Sequence, residues 1–573
     1  MPEIDYRRKL YAFLRSTEPR MGQAAVDICA QLDCLKPQLG ELAQWWQNSG
    51  HHAQAVSSSS DRVNLAAKPG PPIEIRHPIS GQQQAIAEPS IPNIPIPGDI
   101  QRCEDADKVF WWFWRFYPEH CSKVNVQGLI YPAHSILPDC PLHSYQSAVS
   151  ALSGAMSTGK QRETPYLLLF SFSPVQEFIK SSRKFLDFWA GSYLLHYLST
   201  RLCWHVAQEY GPDSLIVPSL WGQDIIDAFL LQRYRLQTIE GKSNPNYSPE
   251  FAEILAREFD TTGDGREPVE RFDNRISNSL STAGLPNMIT VLVPGKAAAT
   301  ALGNSLKEKL QDEWETIGNK VKGHVCSQVV HFLNSSNQKC VKAQQDMWAE
   351  FEKSLPKGAP PDVYRRELDL LKQNNCWEWR HLWREQLQNA WEPYWAAVPL
   401  CHPDQPPLIA SESESELDQW AEAQGAIAWP PEPLPSPAEK AVYYGKQLNI
   451  GTWWGSLQQR LRTAHMAVKN TRHWQIPAAP GPRSTLSGQF SALHPRLNYQ
   501  TLKRNGKQKD FREGGGLPES SMRLFWLLMS YAYPGLFNGS EMLNALELTK
   551  RMAWQFGGVA ESMGIEITRE EEA

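Results

Sequence analysis

Between Arg460 and Arg512 the chain carries Arg460, Arg462, Lys469, Arg472, Arg483, Arg496, Lys503, Arg504, Lys507, Lys509 and Arg512, opposed only by Asp510. His473, Trp474 and Tyr499 interleave flat rings among these cations. Cations for phosphates and rings for unstacked bases are what single-stranded RNA recognition needs. RNA contacts are therefore expected at Arg472, His473, Arg483, Arg496, Lys503 and Arg504, with the Pro480–Gly488 loop able to bring backbone amides to a phosphate. The competing reading is a solvated face docked on an acidic neighbour. A second cluster lies where Ser173-Pro174 ends an apolar run and Lys180, Arg183 and Lys184 follow early in a helical pattern. Free amides at a helix start, with cations beside them, suit a phosphate. The alternative there is that Gln176, Lys180, Arg183 and Asp187 simply pair with one another at helical spacing.

Other chemistries lack their residues. The ten cysteines are scattered with no C-x-x-C pair, and His324 with Cys326 is at most half a metal site, so no metal site is expected. No G-x-G-x-x-G, Walker A, G-x-S-x-G or H-E-x-x-H string occurs, and no catalytic residue is assigned. Lys and Arg total 57 against 62 Asp and Glu, a net charge of −5, so any affinity for a polyanion must be local. The start lacks a secretory h-region and the longest apolar runs, Tyr166–Phe170 and Leu524–Met529, are far too short to span a bilayer. A cytoplasmic protein with no membrane partner is expected.

At 573 residues the chain is long enough for about three to five folded units. Residues 1–160 read as a helical region, from Leu10, Phe13 and Leu14 to the aromatic segment Val109–Tyr117, interrupted by a proline-rich linker at about 69–97. Residues 161–297 read as α/β: Tyr166–Phe172 is a buried-strand run, and Ser214–Val217 and Met288–Val293 are further strands. Between them Val175, Phe178, Ile179, Phe185, Phe188 and Trp189 recur at helical spacing, with Trp189 and Gly191-Ser192 expected in core packing. Residues 298–440 read as a helical insertion ending in an acidic serine run, Ser411–Glu416, and a proline cluster, Pro430–Pro437. Residues 441–573 read as a basic helical domain. No internal repeat is present.

The stretch Ser173–Leu195, SPVQEFIKSSRKFLDFWAGSYLL, resembles the first-palm signature of the large subunit of type III-B CRISPR effector complexes, the Cas-ten or Cmr-two family. Ser57–Arg62, Leu285-Pro-Asn287 and Pro480–Arg496 are similar to further stretches of that family. The resemblance implies a ferredoxin-like palm domain flanked by HD-like, inserted and C-terminal helical domains, an α/β plus all-α chain. It also implies two activities. Cyclic oligoadenylate synthesis needs a Gly-Gly-Asp-Asp string in a second palm; the nearest string here is Gly263-Asp-Gly265, and the chain stops about where that palm would begin. DNA cleavage needs an HD centre. Where the family has its His-Asp doublet, Lys9–Leu14 is followed by Arg15-Ser16; where a second phrase ends in Asp-His, this chain has Ser144-Tyr145. Neither pair replaces the lost donors, so a degenerate HD region without metal is expected.

The resemblance thus implies an architectural subunit with no enzyme activity of its own, bound to crRNA, target RNA and Cas-five-like, Cas-seven-like and Cas-eleven-like subunits. The alternative is the N-terminal half of a split cyclase, in which ATP with Mg or Mn would bind only once a second palm is supplied. In either case nucleotide contacts would fall on Ser173, Gln176, Lys180 and Arg183. A standalone HD phosphohydrolase is disfavoured by the same missing ligands.

Overall fold

In the computed structural model, the residues described are those outside 1–3, 17–21, 59–72, 77–79, 87–95, 125–131, 135–136, 159–160, 163, 240, 261–266, 274–278, 283, 378, 401–452, 472–481, 497–518 and 568–573. The Ser411–Glu416 run, the Pro430–Pro437 cluster and Gly263–Gly265 lie outside them. The expected 69–97 linker is described in part, where Ile73–Arg76 and Gln83–Ile86 pair as a short antiparallel hairpin.

The apolar run expected as a strand forms β1 (Pro165–Ser173), buried along almost its whole length. It is the centre of a four-stranded sheet with β2 (Leu215–Val217), β3 (Met288–Pro294) and β4 (Glu392–Pro399). The order is β4-β1-β3-β2, and every neighbouring pair is antiparallel. Helices join β1 to β2 and β3 to β4: α4 (Gln176–Lys180) and α5 (Phe185–Tyr210) in the first connection, and the 40-residue α6 (Gly295–Asn334) in the second. Each crossover returns to a strand two positions away, leaving room for the other.

Strand β4 corrects an expectation. It lies in the segment read as helical, 298–440, yet pairs in register with β1 from Glu392–Ser173 to Pro399–Tyr166. Its exposure alternates, with Tyr394, Ala396 and Val398 inward, as an edge strand over a core requires. The unit begun at 161 therefore does not end at 297. Helix α6 packs on the same sheet and on the C-terminal helix Ala545–Phe556, and buries Leu302, Leu306, Leu310, Trp314, Ile317 and Val321, a stripe of period close to 3.6. It crosses β4 at Gly303, where a Cβ would come within 2.3 Å of the Trp395 ring.

Helices α5 and α6 cover one face of the sheet. The other face meets α3 (Leu142–Met156) and α7 (Trp453–Asn470). Leu457 and Leu461 of α7 are buried there, and His465 on the same helix lies 2.9 Å from the Ser171 hydroxyl of β1. The helical N-terminal region is built around α1 (Tyr6–Arg15) and α2 (Ala106–Val124). Val109 to Trp114 are almost fully buried, as the aromatic run implied. A fully buried Lys9–Asp213 ion pair, 2.7 Å, ties α1 to the approach to β2. Two C-terminal helices, α8 (Glu519–Ala532) and α9 (Ala545–Phe556), pack against α5 and α6. Apolar residues from Leu10 to Ile565 form one continuous core, so the described parts of all four expected segments share it. This is a mixed, helix-dominated architecture around a small antiparallel sheet. No helix among the described residues is long and apolar enough to cross a membrane.

Candidate nucleic-acid interface

Strand β1 delivers Ser173 to the sheet end opposite Glu392, and a cis Ser173-Pro174 bond turns the chain into α4. Gln176, Lys180 and Arg183 are exposed there, with Glu177 beside them. The helical pattern does not run through as expected. It breaks between Lys180 and Phe185, so only Phe178 of the early positions is buried, whereas Phe185 and Phe188 are 82 % and 50 % exposed. The break has a physical cause in α9. The Lys550 ammonium reaches the carbonyls at the end of α4, donating to the Phe178 carbonyl at 2.8 Å, to that of Ser181, and to the Ser182 hydroxyl. Those carbonyls are the ones a helix end leaves without partners.

Asp187 does not pair with Gln176, Lys180 or Arg183 along one helix. Its carboxylate accepts from the backbone amides of Arg183 and Lys184, and Arg551 of α9 meets it with a two-pronged fork at 2.7 and 2.8 Å. The same guanidinium lies 2.8 Å from Glu541. Burial alone would raise the Asp187 pKa; the Arg551 fork and the two amides outweigh it and hold the carboxyl below its ordinary range. Burial pushes the Lys550 amine down to about 8, against the pull of Asp187 and Glu547. Gly191 matters to this arrangement, since a Cβ there would lie 3.1 Å from the Lys550 side chain. Trp189 stacks on Tyr193 at 5.2 Å and meets Trp554 of α9 edge-on, the core role expected for it.

The second cluster is described only in part: Arg472, His473, Lys503 and Arg504, with Trp474 and Tyr499, lie outside the described residues, and Arg483 and Arg496 are exposed. Both sit in a loop, 482–496, that contains no acidic residue. Its base is fixed by buried groups. Glu547 of α9 accepts from the Ser484 hydroxyl and the Ser487 amide, each at 2.9 Å, while its other oxygen caps α9 at Asn544. Gln386 donates to the Ser491 carbonyl at 2.8 Å, and buried His494 lies 2.9 Å from Glu367. Sequence reasoning missed Glu541, Glu547, Lys550 and Arg551. The available signal was four charged residues in or beside an otherwise apolar helix.

At the far end of the helical region, α1 runs antiparallel to α3: the Lys9 carbonyl accepts from Ser150, and the Phe13 ring lies 5.9 Å from His143. Arg15-Ser16 and Ser144-Tyr145 thus lie at the same end of the helix pair. The Ser16 hydroxyl is turned back onto the Ala12 carbonyl, and Tyr145 donates to Gln54. Ser144 and Tyr145 border a cavity of about 220 Å³ whose other walls include Leu152, Leu167, Leu292 and Trp454, a largely apolar space. Among the described residues no group of three or more His, Cys, Asp or Glu is placed to hold a metal. His324 bonds the Tyr533 hydroxyl at 2.9 Å, and the Cys326 thiol reaches Asn374.

Residues 167–319, from β1 into α6, match the family of the N-terminal region of the CRISPR-associated protein Cmr2. The chain is 30 % identical over 165 residues to the Cmr subunit Cmr2 of Pyrococcus furiosus, an alignment covering 24 % of this chain and 18 % of that protein. It is 26 % identical over 168 residues to the Cmr2 subunit of Saccharolobus solfataricus, covering 29 % and 14 %. Over this segment the chain is similar to the Cmr2 subunits of CRISPR systems. The matched part spans less than a fifth of either curated relative. Among solved structures, it is similar to a chain of the type III-B Cmr-beta complex in its apo state, with 16 % identity and a TM-score of 0.48 over 98 % of this chain and 50 % of that one. A chain of Cmr-beta bound to cognate target RNA gives 15 % and 0.40, over 82 % and 41 %.

Proposed function

We propose that this chain is the architectural large subunit of a crRNA-guided type III RNA-targeting complex in the cytoplasm. In this reading it holds crRNA and target RNA through its basic C-terminal surface. Neighbouring Cas-five-like, Cas-seven-like and Cas-eleven-like subunits pack around it, and it supplies neither HD nuclease nor cyclase activity itself. The observation that carries the reading is the Cmr2 match over residues 167–319. The β4-β1-β3-β2 order with two crossovers supports reading the sheet as a ferredoxin-like palm. Arg15-Ser16 and Ser144-Tyr145, gathered at one end of α1 and α3, support a degenerate HD region. Exposed Lys180, Arg183, Arg483 and Arg496 support contact with phosphates. Nucleotide contact at Ser173, Gln176, Lys180 and Arg183 belongs to the same proposal; ATP with Mg or Mn enters only if a second palm is supplied.

The test is a tagged pull-down from the native cell, with mass spectrometry of the proteins and sequencing of the RNA. Repeat-derived guide RNA together with CRISPR backbone subunits is the expected result, and the protein list will show whether a Gly-Gly-Asp-Asp palm accompanies the chain. Recovery of neither would reduce the relationship to ancestry. Changing Arg472, Arg483, Lys503 and Arg504 together to Glu is expected to weaken RNA binding and flatten its salt dependence.

A further inference from the structure

The two basic segments are not independent outcrops. The Lys184 ammonium donates to the Leu536 carbonyl at 2.9 Å and the Gly535 carbonyl at 3.2 Å, and lies 4.0 Å from Glu541. One residue on, Met542 exchanges two hydrogen bonds with Thr485 of the other loop, at 2.8 and 3.0 Å. Leu493 donates to the Leu543 carbonyl at 2.8 Å. Both segments therefore flank one short stretch, Gly535–Asn544, which leads directly into α9. That helix then grips each of them with a buried charge: Lys550 and Arg551 hold the α4–α5 turn, and Glu547, one turn earlier, holds the base of the 482–496 loop.

We propose that α9 is a positioning element, in which Lys550, Arg551 and Glu547 lock the 176–188 segment and the 482–496 loop side by side so that both present their exposed cations to one single-stranded RNA. This rests on the RNA-binding reading above. The charge bookkeeping favours a polyanion. Arg551 removes Asp187 from the surface balance, leaving Lys180 and Arg183 against Glu177, while the second loop offers Arg483 and Arg496 with no acid of its own. Phe185, almost fully exposed beside Arg183, supplies a flat ring of the kind on which unpaired bases stack. Buried positioning residues would never touch the RNA. They act by fixing the spacing between cations on two separate segments, so each phosphate contact is made without further ordering cost.

The experiment uses the full chain, a fluorescein-labelled 20-nucleotide polyuridine probe read by anisotropy, and amide hydrogen exchange. Lys550→Met keeps the apolar stem and removes the donor; it is expected to weaken RNA binding by about tenfold, with faster exchange at the Arg183 and Lys184 amides. Glu547→Ala is expected to weaken binding similarly, with faster exchange at Ser487 and Gly488, and Glu547→Gln, which retains the acceptor for Ser484 and Ser487, to recover most of it. In a chain already carrying Lys180→Glu and Arg183→Glu, Lys550→Met should cost nothing further, a non-additivity that general destabilisation would not produce. Unchanged affinity in Lys550→Met and Glu547→Ala, in a chain that binds the probe, overturns the positioning role and leaves the RNA reading standing. A wild-type chain that does not bind the probe overturns the RNA reading. That outcome overturns the positioning role for RNA with it, and faster exchange at both segments would then show only that α9 orders them.

Discussion

The Lys9–Asp213 pair and the Asp187–Arg551–Glu541 cluster are both buried ion networks, yet they do different work. The first joins α1 to the turn before β2 and is fully buried, with the Lys9 ammonium also donating to the Tyr210 carbonyl and the Ser214 hydroxyl. The second lies beneath exposed residues, with Lys180, Arg183 and Phe185 immediately outside it. Burying charge is expensive unless geometry and hydrogen bonds compensate, so each network marks a place where position is fixed closely. In the helical region it fixes the helix α1 against the approach to the sheet. At the sheet end it fixes a surface that carries exposed cations. Both networks are set in one continuous core.

That contrast can be broken most severely at Arg551. Arg551→Met would strip buried Asp187 and Glu541 of their shared guanidinium, leaving only the more distant Lys184 and Lys550, and a loss of about 3–5 kcal/mol is expected in denaturant unfolding. A loss below about 1 kcal/mol would mean that the two carboxylates escape to water or protonate readily. Lys9→Met should cost a similar or slightly smaller amount at neutral pH, but with a distinguishing pH response. Burial raises the Asp213 pKa, so the abandoned carboxyl should take up a proton as pH falls, and the deficit relative to wild type should shrink toward pH 5. A deficit independent of pH would show that lost packing, rather than an unpaired charge, dominates.

A smaller effect is expected from two buried imidazoles, His143 and His196. His143 donates from Nε2 to the Trp114 carbonyl, and His196 accepts at Nδ1 from the amides of Gly284 and Leu285. Burial pushes both down to about 4 from 6.5. The unfolded chain then binds more protons than the folded one between those values. Stability from these groups is complete above about pH 6.5 and is lost as pH falls toward 4, by about 1–3 kcal/mol each. His143→Phe, set among Phe13, Trp114 and Trp221, should remove its share of that slope; an unaltered slope between pH 6.5 and 4 would assign it elsewhere.

Much of the scaffold was legible in the residues. The runs around Leu168 and Val291 read as strands because nothing but a buried sheet suits them, and the aromatic helix around Trp112 reads as core for the same reason. β4 was not legible, since Glu-Pro-Tyr-Trp-Ala-Ala-Val-Pro sits in a segment rich in helix formers and acquires its strand character only from pairing with β1. The break before Phe185 was equally hidden. Its cause, Lys550, is 368 residues from Ser182, and no local pattern encodes a contact at that separation. The cations of the candidate site could be read directly, whereas Glu547, Lys550 and Arg551, which bond the segments carrying them, are ordinary helix positions until the fold brings them inward.

The smallest stability effect is expected at the residue whose surroundings are the least like a core. Phe185→Ser alters a side chain that is 82 % exposed, so unfolding should change by less than about 0.5 kcal/mol, in contrast to the buried Arg551. In the proposed RNA-binding reading, this exposed ring is one on which an unpaired base stacks. Anisotropy with the polyuridine probe should therefore fall in affinity by about tenfold in Phe185→Ser, the scale of one base-stacking contact, while the denaturation midpoint stays put. A shift of the midpoint with unchanged affinity would reverse the assignment, placing Phe185 with the scaffold rather than with the surface that Arg551 holds in place.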